Sequence, residues 1–429
     1  MTEIEITIQR LVPGGDGLGF HADGAVFVPF TAPGDHLRVR LTQGGRHYRR
    51  GEMVTLLSPG PERMEPLCSH YGHCGGCHLQ HLQRDSRHQA KRAFVLDGLQ
   101  RLGHIADADA LTRPLLPAPD DTGYRQRASF KVRHIQGRLL LGFFAPGSHH
   151  LVDVARCPIL HPALEALLSP LRQVLGRIAR PDRLPQVDAV QGENGTAVIL
   201  HHLDPLPTRD QERLRGFAQE RGLLQLWLQS GRKQTLTPLV EGADPFYRLE
   251  EMALRFRPGD FTQANFAQNR RLVTQILELA GSGNKAVDLF CGIGNFTLPL
   301  GYRYAQVAGI EGYGPAVERG QNNARNNRMA TLHFRQMNLH GSHRLDIPEL
   351  AEADLCLINP PRTGAKTIMA CLSHSPVERV IYVSCDPATF ARDAAHLSHN
   401  GYRLQLVQPF DMLPLTHHVE TVALFTRHA

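Results

Sequence analysis

The segment KAVDLFCGIGNFTLPLG, residues 285–301, decides the fold of the C-terminal half of this chain. Its first apolar run ends near Asp288, the pair Gly292 and Gly294 follows, and an apolar stretch then resumes. This order predicts a buried strand, a tight loop and the start of a helix. In open α/β sheets such a loop lies beyond the carboxyl end of its strand, where glycines let a ligand approach the backbone closely. The segment therefore predicts a parallel α/β sheet that binds a nucleoside cofactor.

Polar residues end the next three predicted strands. AQVAGIE ends in Glu311, 23 residues after Asp288, a separation that suits a carboxylate bonded to ribose hydroxyls. TLHFRQMN ends in Asn338, which could contact an adenine edge, and DLCLINPPR carries Asn359 before two prolines. A dinucleotide-dependent dehydrogenase would have a third glycine where this chain has CGIGNF. The whole series is typical of the Rossmann-like fold of S-adenosylmethionine-dependent methyltransferases.

A candidate nucleophile and a candidate base lie further along the chain. RVIYVSCDPATFARD, residues 379–393, predicts a buried strand that ends at Cys385 and a helix that starts at Asp386 and Pro387. A helix N-terminus favours the thiolate, although many buried cysteines are inert core residues. Glu420 begins the apolar run VETVALF, as the second strand of a predicted terminal hairpin. It is either a hydrogen-bonded structural acid or a general base whose pKa is raised by its apolar surroundings.

These two residue types suit the methylation of a pyrimidine at C5. That carbon is a weak nucleophile until a thiolate adds to C6 and converts the ring to an enolate, which can attack a sulfonium methyl group. A base must then remove the C5 proton so that the sulfur can leave. The hypothesis is that Cys385 adds to the ring and Glu420 accepts the proton.

Four motifs extend this hypothesis to a family. SCDPATFARD, DMLPLTHHVE, DLFCGIGNF and PGDFTQAN resemble the RNA (uracil-5-)-methyltransferase family over essentially the whole chain, and most closely its bacterial branch that methylates uracil 1939 of 23S ribosomal RNA. The resemblance implies that residues 1–60 form a TRAM domain, an OB-like RNA-binding β-barrel. It implies that Cys385 is the nucleophile, that Glu420 is the base and that Phe261 borders a flipped uracil. It also implies that six residues line the S-adenosyl-L-methionine site: Gln263, Phe290, Asn295, Glu311, Asn338 and Asn359.

Asn359 departs from the family pattern, which has DPPR where this chain has NPPR. Asparagine keeps one acceptor oxygen, loses the charge and gains a donor. Because Cys385 and Glu420 are both present, we interpret Asn359 as a tolerated variant. The alternative is a catalytically impaired RNA-binding or ribosome-assembly factor.

A cysteine cluster precedes the catalytic motifs, with the spacing Cys68-x5-Cys74-x2-Cys77 and a distant Cys157. Four thiolates can hold either an iron–sulfur cluster or zinc, although zinc sites commonly use two CxxC pairs and this chain has one. The resembled ribosomal branch carries a 4Fe-4S cluster on this spacing, so the resemblance implies metal binding of that kind. We expect the other three cysteines outside the catalytic motif to be core residues: Cys291, Cys356 and Cys371.

Length and composition indicate a globular protein of two or three domains. The chain has 429 residues, of which 42% are hydrophobic and 21% charged. We expect the barrel at 1–60, a central α+β domain with the cysteine cluster at 61–250, and the methyltransferase domain at 251–429. The helical part at about 85–120 is expected to pack on the catalytic domain. The absence of an apolar N-terminal segment and of a run of 18 uncharged apolar residues predicts a cytoplasmic protein without a membrane span. We expect a monomer, because no unpaired heptad or exposed apolar run is visible.

The charge balance indicates a polyanionic partner. The net charge is +6, and 42 of the 47 basic residues are arginine, which forks onto phosphates and stacks on bases. High-GC codon usage produces the same bias, so the composition alone leaves both explanations open. We expect arginines in 46–50, 84–101 and 125–138 to contact phosphates of 23S rRNA. The same chemistry on another rRNA or tRNA uridine remains an alternative.

Overall fold

The computed structural model of the chain describes residues 2–22, 24–45, 47–231, 235–340 and 345–428. Arg46, part of the basic loop predicted to contact RNA, lies outside these residues. In the described ranges, no helix combines the length and the apolar character that crossing a lipid bilayer requires.

The N-terminal strands close into the predicted β-barrel. Residues of the first strand alternate, so that Ile4, Ile6 and Ile8 are buried in the barrel core while Glu3 and Glu5 are exposed. The strands neighbour one another in the order β1-β2-β3-β5-β4. Their bounds are β1 Glu3–Leu11, β2 Gly17–His21, β3 Gly24–Val28, β4 His36–Gly44 and β5 Tyr48–Ser58.

A long helix links the barrel to the catalytic half. This helix, α1, spans Arg84–Arg101, and the short helix α2, Ala108–Leu111, follows it. One face of α1 buries Phe94, Val95 and Leu99. A Cβ atom added at Gly98 would lie 2.9 Å from the carbonyl oxygen of Pro387, which shows how closely α1 approaches the catalytic half.

The central part is a seven-stranded sheet with helices against one face, in the order β12-β11-β10-β9-β6-β7-β8. Its strands are β6 Arg127–Ile135, β7 Arg138–Phe144, β8 Leu151–Asp153, β9 Gln186–Gly192, β10 Gly195–His201, β11 Gln225–Gln229 and β12 Leu236–Val240. Its helices are α3 Pro162–Glu165, α4 Leu168–Leu175 and α5 Thr208–Glu220. Pro170 lies in the first turn of α4, where a proline is tolerated, and the apolar face of α5 is narrow.

The C-terminal half is a second seven-stranded sheet, with the order β17-β16-β15-β18-β19-β21-β20 and core clusters on both faces. A hairpin precedes it, β13 Phe246–Leu249 and β14 Met252–Arg255. The strands are β15 Gly283–Leu289, β16 Tyr304–Glu311, β17 Leu332–Gln336, β18 Leu355–Ile358, β19 Arg379–Ser384, β20 Tyr402–Phe410 and β21 Glu420–Arg427. The helices are α6 Phe266–Ala280, α7 Thr297–Leu300, α8 Gly314–Asn326, α9 Lys366–Ser373 and α10 Pro387–His399.

The topology of this sheet places the candidate site at one edge. Strands β15 to β19 are parallel to one another, whereas β21 runs antiparallel to β19. The carboxyl ends of the five parallel strands and the first residue of β21 therefore lie along the same edge. After β15 the chain extends the sheet on one side with β16 and β17, and then on the other side with β18 and β19, a switch at which α/β proteins bind ligands.

Candidate active site

The loop after β15 has the backbone that its glycines predict. Phe290, Gly292 and Gly294 all have positive φ angles, of 62°, 56° and 95°. A Cβ atom on Gly292 would meet nothing within 4 Å, so this glycine borders open space. A Cβ atom on Gly294 would lie 2.4 Å from Cδ1 of Leu298, so this glycine allows close packing of the loop on α7. Gly292 therefore faces the candidate site for the methyl donor, whereas Gly294 allows the loop to pack against α7.

Two carboxylates stand at the ends of β15 and β16. Asp288 is fully buried, accepts a 2.6 Å hydrogen bond from the Thr297 hydroxyl, and its pKa is raised to about 7 by burial, with a further contribution from Glu311. Glu311 accepts hydrogen bonds from the backbone N–H of Gly292 at 3.2 Å and of Tyr313 at 2.8 Å. The carboxylate predicted to bind ribose thus also ties the glycine loop to the neighbouring strand.

The other predicted donor residues lie around the same edge in different settings. Asn295 is engaged inside the protein, because its amide oxygen accepts from the Asn269 amide and the Tyr247 hydroxyl, both at 2.8 Å. Asn338 is exposed after β17, and its side chain accepts the backbone N–H of His340 at 2.9 Å. The remaining three are the Phe290 ring, which lies 5.2 Å from that of His340, the half-buried Gln263, and Asn359 at the end of β18.

Cys385 and Glu420 lie at facing positions of neighbouring strands. The antiparallel pairing of β19 with β21 ends with Ser384 opposite Thr421, so Cys385 and Glu420 occupy the next position. Asp386 caps α10 by accepting the backbone N–H of Thr389 at 2.8 Å. The strand-to-helix turn therefore holds Cys385 beside the first residue of β21.

The electrostatics of this pair oppose an easily formed thiolate. Burial and, to a smaller extent, the negative charge of Glu420 raise the pKa of Cys385 to about 11, against the opposing effect of Arg362. Burial also raises the pKa of Glu420 to about 7, again opposed by Arg362. The helix N-terminus beside Cys385 was expected to favour the thiolate, whereas burial and the nearby carboxylate hold the pKa of this thiol above its ordinary value.

Three residues beyond those predicted for the site line the same cleft of about 420 Å³ as Cys385: Arg362, His417 and His418. The Arg362 guanidinium lies 3.4 Å from the His418 ring, and the rings of His417 and His418 are 4.2 Å apart. The sequence signal for Arg362 was its place after the two prolines at the end of β18. Pro13 and Gly14 of the barrel also line the cleft, a contribution that no local pattern could indicate.

Phe261 is 68% exposed in the loop before α6, which makes it available to a ligand. The adjacent Asp260 is buried and braced, since its carboxylate lies 2.6 Å from Arg319 and accepts the backbone N–H of Arg257 at 2.8 Å. Arg127 of the central sheet donates to the Asp260 carbonyl. An exposed aromatic ring thus stands on a rigidly held loop.

The four clustered cysteines, Cys68, Cys74, Cys77 and Cys157, line one small cavity as free thiols. Burial raises the pKa of Cys77 to about 11, with smaller contributions from Cys74 and Cys68, and raises the pKa of Cys157 to about 12, with a smaller contribution from Cys77. No group of three or more His, Cys, Asp and Glu side chains in the described ranges is arranged around a single metal ion. The spacing therefore predicted which thiols share a cavity, while a metal there is not established.

Some basic residues of α1 serve inside the protein, among them Arg87, one of the arginines predicted to contact phosphates. Arg87 is 2% exposed and forms an ion pair with Asp121, and Lys91 is fully buried against Asp411. On α1 these side chains join the helix to neighbouring segments, because charges buried at an interface must be paired. The prediction for residues 84–101 is therefore wrong for Arg87, whereas Arg84 and Arg101 remain exposed.

Comparisons with known proteins identify the family that this sequence resembles. The family model described as tRNA (Uracil-5-)-methyltransferase matches residues 109–428. The 23S rRNA (uracil(1939)-C(5))-methyltransferase of Pectobacterium atrosepticum is 38% identical to this chain. The match covers 98% of this chain and 93% of that enzyme. The enzyme of the same name from Thiobacillus denitrificans is also 38% identical, and the match covers 98% of this chain and 99% of that enzyme.

A solved structure supports the fold over the whole length. The Pyrococcus abyssi tRNA (uracil-54, C5)-methyltransferase, in complex with S-adenosyl-L-homocysteine, superposes with a TM-score of 0.76 at 23% identity, covering 99% of this chain and all of that one. At this identity the likeness concerns the arrangement of the barrel, the central sheet and the catalytic sheet. Sequence similarity, family model and architecture together establish that this chain belongs to the tRNA (uracil-5-)-methyltransferase family.

Proposed function

We propose that this protein transfers a methyl group from S-adenosyl-L-methionine to C5 of a uridine in 23S rRNA, through a covalent adduct with Cys385. The observation that carries the proposal is the facing position of Cys385 and Glu420, at the same sheet edge as the glycine loop. The names of the relatives favour uridine 1939 as the target. A cytoplasmic location follows from that substrate.

The proposed reaction has four steps. The Cys385 thiolate adds to C6 of the uracil, forming a C–S bond and an enolate. C5 attacks the sulfonium methyl group, so a C–C bond forms and S-adenosyl-L-homocysteine leaves. Glu420 then takes the proton from C5, and the electron pair of that C–H bond restores the C5–C6 double bond as the sulfur departs. Cysteine is regenerated as the thiolate, and the proton leaves through Glu420.

Arg362 supports both charged partners in this scheme. Its positive charge lowers the pKa of Cys385 and of Glu420, against the effect of burial. We infer that entry of the pyrimidine and the methyl donor must compensate for the remaining cost of forming the thiolate. A guanidinium has no hydrogen-bond acceptor. Arg362 can therefore act on the two groups only as a hydrogen-bond donor and as a positive charge.

The methyl donor would lie against the glycine loop. Glu311 and Asn338 would bind its ribose and adenine, Phe290 and Gln263 would flank it, and Asn359 would lie near the methyl-bearing end. Asn295, already bonded to Asn269, would shape the loop rather than offer a free amide. Bound there, S-adenosyl-L-methionine supplies the electrophilic methyl group. The buried Asp288 would hold the loop at the base of the site through its hydrogen bond from Thr297. Its other carboxylate oxygen has no hydrogen-bond partner among the described residues.

Trapping the adduct tests the chemistry. With RNA containing 5-fluorouridine at the target, C5 carries no removable proton, so we expect a stable protein–RNA complex that depends on S-adenosyl-L-methionine. Cys385→Ala should form none, and Cys371→Ala is the control. A complex that persists in Cys385→Ala would contradict the proposal, and a folded protein that binds RNA without forming one would favour a binding or assembly factor.

A methylation map identifies the nucleotide. RNA from a strain lacking the gene should lose 5-methyluridine at position 1939 of 23S rRNA and regain it with the wild-type gene but not with Cys385→Ala. Loss at a different rRNA or tRNA uridine instead would keep the chemistry and change the substrate.

We propose that the cysteine cavity holds a 4Fe-4S cluster. The ligand sulfurs of a 4Fe-4S cluster are held apart by the width of the cluster. Thiols that surround a cavity therefore suit a cluster better than a single zinc ion, on which all the sulfurs would have to converge. The four cysteines Cys68, Cys74, Cys77 and Cys157 would be its ligands, in a central domain at residues 61–250 between the barrel and the catalytic domain. Iron and sulfide analysis of protein purified without air tests this, and stoichiometric zinc without iron would contradict it.

A further inference from the structure

The loop between β20 and β21, residues 411–419, joins the cysteine cavity to the candidate active site. It ends at Glu420 and carries His417 and His418, which line the Cys385 cleft. Its middle residue, Leu415, is buried in the same cluster as Cys77. We call residues 411–419 the connecting loop.

Donors from four other segments bind consecutive backbone carbonyls of the connecting loop. The Met412 carbonyl accepts from the Asn265 amide at 3.2 Å, and the Leu413 carbonyl accepts from Lys91 at 3.1 Å. The Pro414 carbonyl accepts from the hydroxyl of the buried Tyr124 at 2.8 Å. The Leu415 carbonyl accepts two backbone N–H groups, those of His78 at 2.9 Å and Leu79 at 3.0 Å.

The arrangement at Leu415 is enforced from outside the loop. Leu415 has a φ of 65°, a left-handed conformation that costs a leucine about 1–2 kcal/mol. Such a conformation persists only where surrounding contacts require it. Here the contacts come from the backbone directly after Cys77, so the segment that carries the cysteines sets the path of the chain five residues before Glu420.

The start of the connecting loop is anchored as well. Lys91 and Asp411 are fully buried, and the Lys91 ammonium lies 2.5 Å from the Asp411 carboxylate. The barrel reaches the same place, since a Cβ atom on Gly15 would lie 3.2 Å from Cβ of His417 and 3.3 Å from Cδ2 of Leu79. The connecting loop is thus a junction of barrel, cysteine segment, α1 and catalytic sheet.

We propose that Tyr124, Lys91 and the backbone of His78 and Leu79 are positioning elements that hold Glu420 opposite Cys385 through the connecting loop, so that disturbance of the cysteine cavity displaces the base. The catalytic consequence rests on the proposed function. The mechanical coupling does not, because it can be measured on the protein without RNA. The coupling also gives the cysteine cavity a role in catalysis without any electron transfer.

Hydrogen–deuterium exchange tests the coupling directly. In Tyr124→Phe, which removes one hydroxyl and keeps the ring, peptides covering 411–421 should exchange about fivefold faster, the factor that one buried hydrogen bond of ordinary strength provides. Tyr304→Phe is the matched control, because its hydroxyl donates to the Ala280 carbonyl at 2.6 Å, away from the loop. Cys77→Ser should accelerate the same peptides, and Cys371→Ser should not.

The catalytic step that slows in the variants distinguishes a role in positioning Glu420 from a role in the stability of the whole protein. If Glu420 is displaced, addition of Cys385 to the ring and methyl transfer should persist while proton removal slows. Tyr124→Phe should therefore accumulate a methylated covalent complex on ordinary uridine RNA, whereas Tyr304→Phe should release product as the wild type does. Faster exchange confined to residues 68–81 in Cys77→Ser, or spread equally over the catalytic sheet in Tyr124→Phe, would overturn the proposal. If the exchange result holds but no protein, the wild type included, forms a covalent complex with RNA containing 5-fluorouridine, the proposed function alone would be contradicted.

Discussion

At the residue scale, Glu420 alters the affinity of Cys385 for a proton. Burial and the negative charge of Glu420 make the thiolate harder to form, so the free protein favours a protonated thiol beside a carboxyl group whose pKa is about 7. The thiolate fraction grows as pH rises toward 11, and the carboxylate fraction grows as pH rises through 7. Both the addition step and the proton removal are therefore expected to accelerate from pH 6 to pH 9.

The Glu420→Gln variant separates the titration of the Cys385 thiol from the titration of the Glu420 carboxyl group. The substitution removes a negative charge near Cys385, so the pKa of the thiol should fall and its alkylation by iodoacetamide at pH 8 should become several times faster. The modified Cys385 peptide, quantified by mass spectrometry across a pH series, measures this shift. Glu378→Gln, an exposed carboxylate just before β19, should leave the profile unchanged. A profile in Glu420→Gln equal to that of the wild type would mean that the two side chains do not interact.

At the element scale, the loop after β15 assigns different tasks to its two glycines. Gly292 borders open space at the donor edge, whereas Gly294 packs against Leu298 and Phe334. Both have positive φ, so neither accepts a side chain without backbone strain. The same short loop therefore contains one position that concerns binding and one that concerns folding.

Alanine substitutions should reveal this division. Gly294→Ala combines strain with a steric clash, and we expect it to lower the free energy of unfolding by about 2–4 kcal/mol. Gly292→Ala should cost about 1–2 kcal/mol from its backbone conformation, and its methyl group should weaken S-adenosyl-L-homocysteine binding at least tenfold. Denaturant titration and calorimetric binding measure the two effects. Equal losses of binding and stability in both variants would contradict the assignment.

At the scale of the whole molecule, the sites proposed for RNA lie on surfaces contributed by separate parts of the chain. Arg127, Lys131 and Arg133 alternate along one face of β6, beginning at the Asp260 contact beside Phe261. The other face of this sheet is covered by helices, including α5, which packs against β11 and β12. Arg133 is exposed on the open face, and a strand of RNA leaving the cleft could follow this row of charges.

Arg133→Ala should weaken RNA binding and reduce its salt dependence. Loss of one phosphate contact lowers the slope of log affinity against log salt by about 1. Arg215→Ala, an exposed arginine on α5, makes the same change in net charge on the covered side of the sheet and should leave the slope unaltered. Titration of labelled target RNA at several salt concentrations provides the measurement, and equal slopes in all three proteins would exclude this path for the RNA.

Much of this protein was determined by its sequence alone. Strand ends, glycines and cysteine spacing are local features, so they predicted the methyltransferase sheet, the position of Cys385 at a strand end and of Glu420 at a strand start, and the thiols that share a cavity. The resemblance to the family predicted the barrel. The tertiary structure decided what depends on contacts between distant segments. Arg87 and Lys91 are interior rather than RNA-facing, and the pKa of Cys385 is raised rather than lowered. Burial and pairing arise only when separate segments meet, 34 residues apart for Arg87 and Asp121 and 320 residues apart for Lys91 and Asp411. No local pattern records which charge will be desolvated or by what.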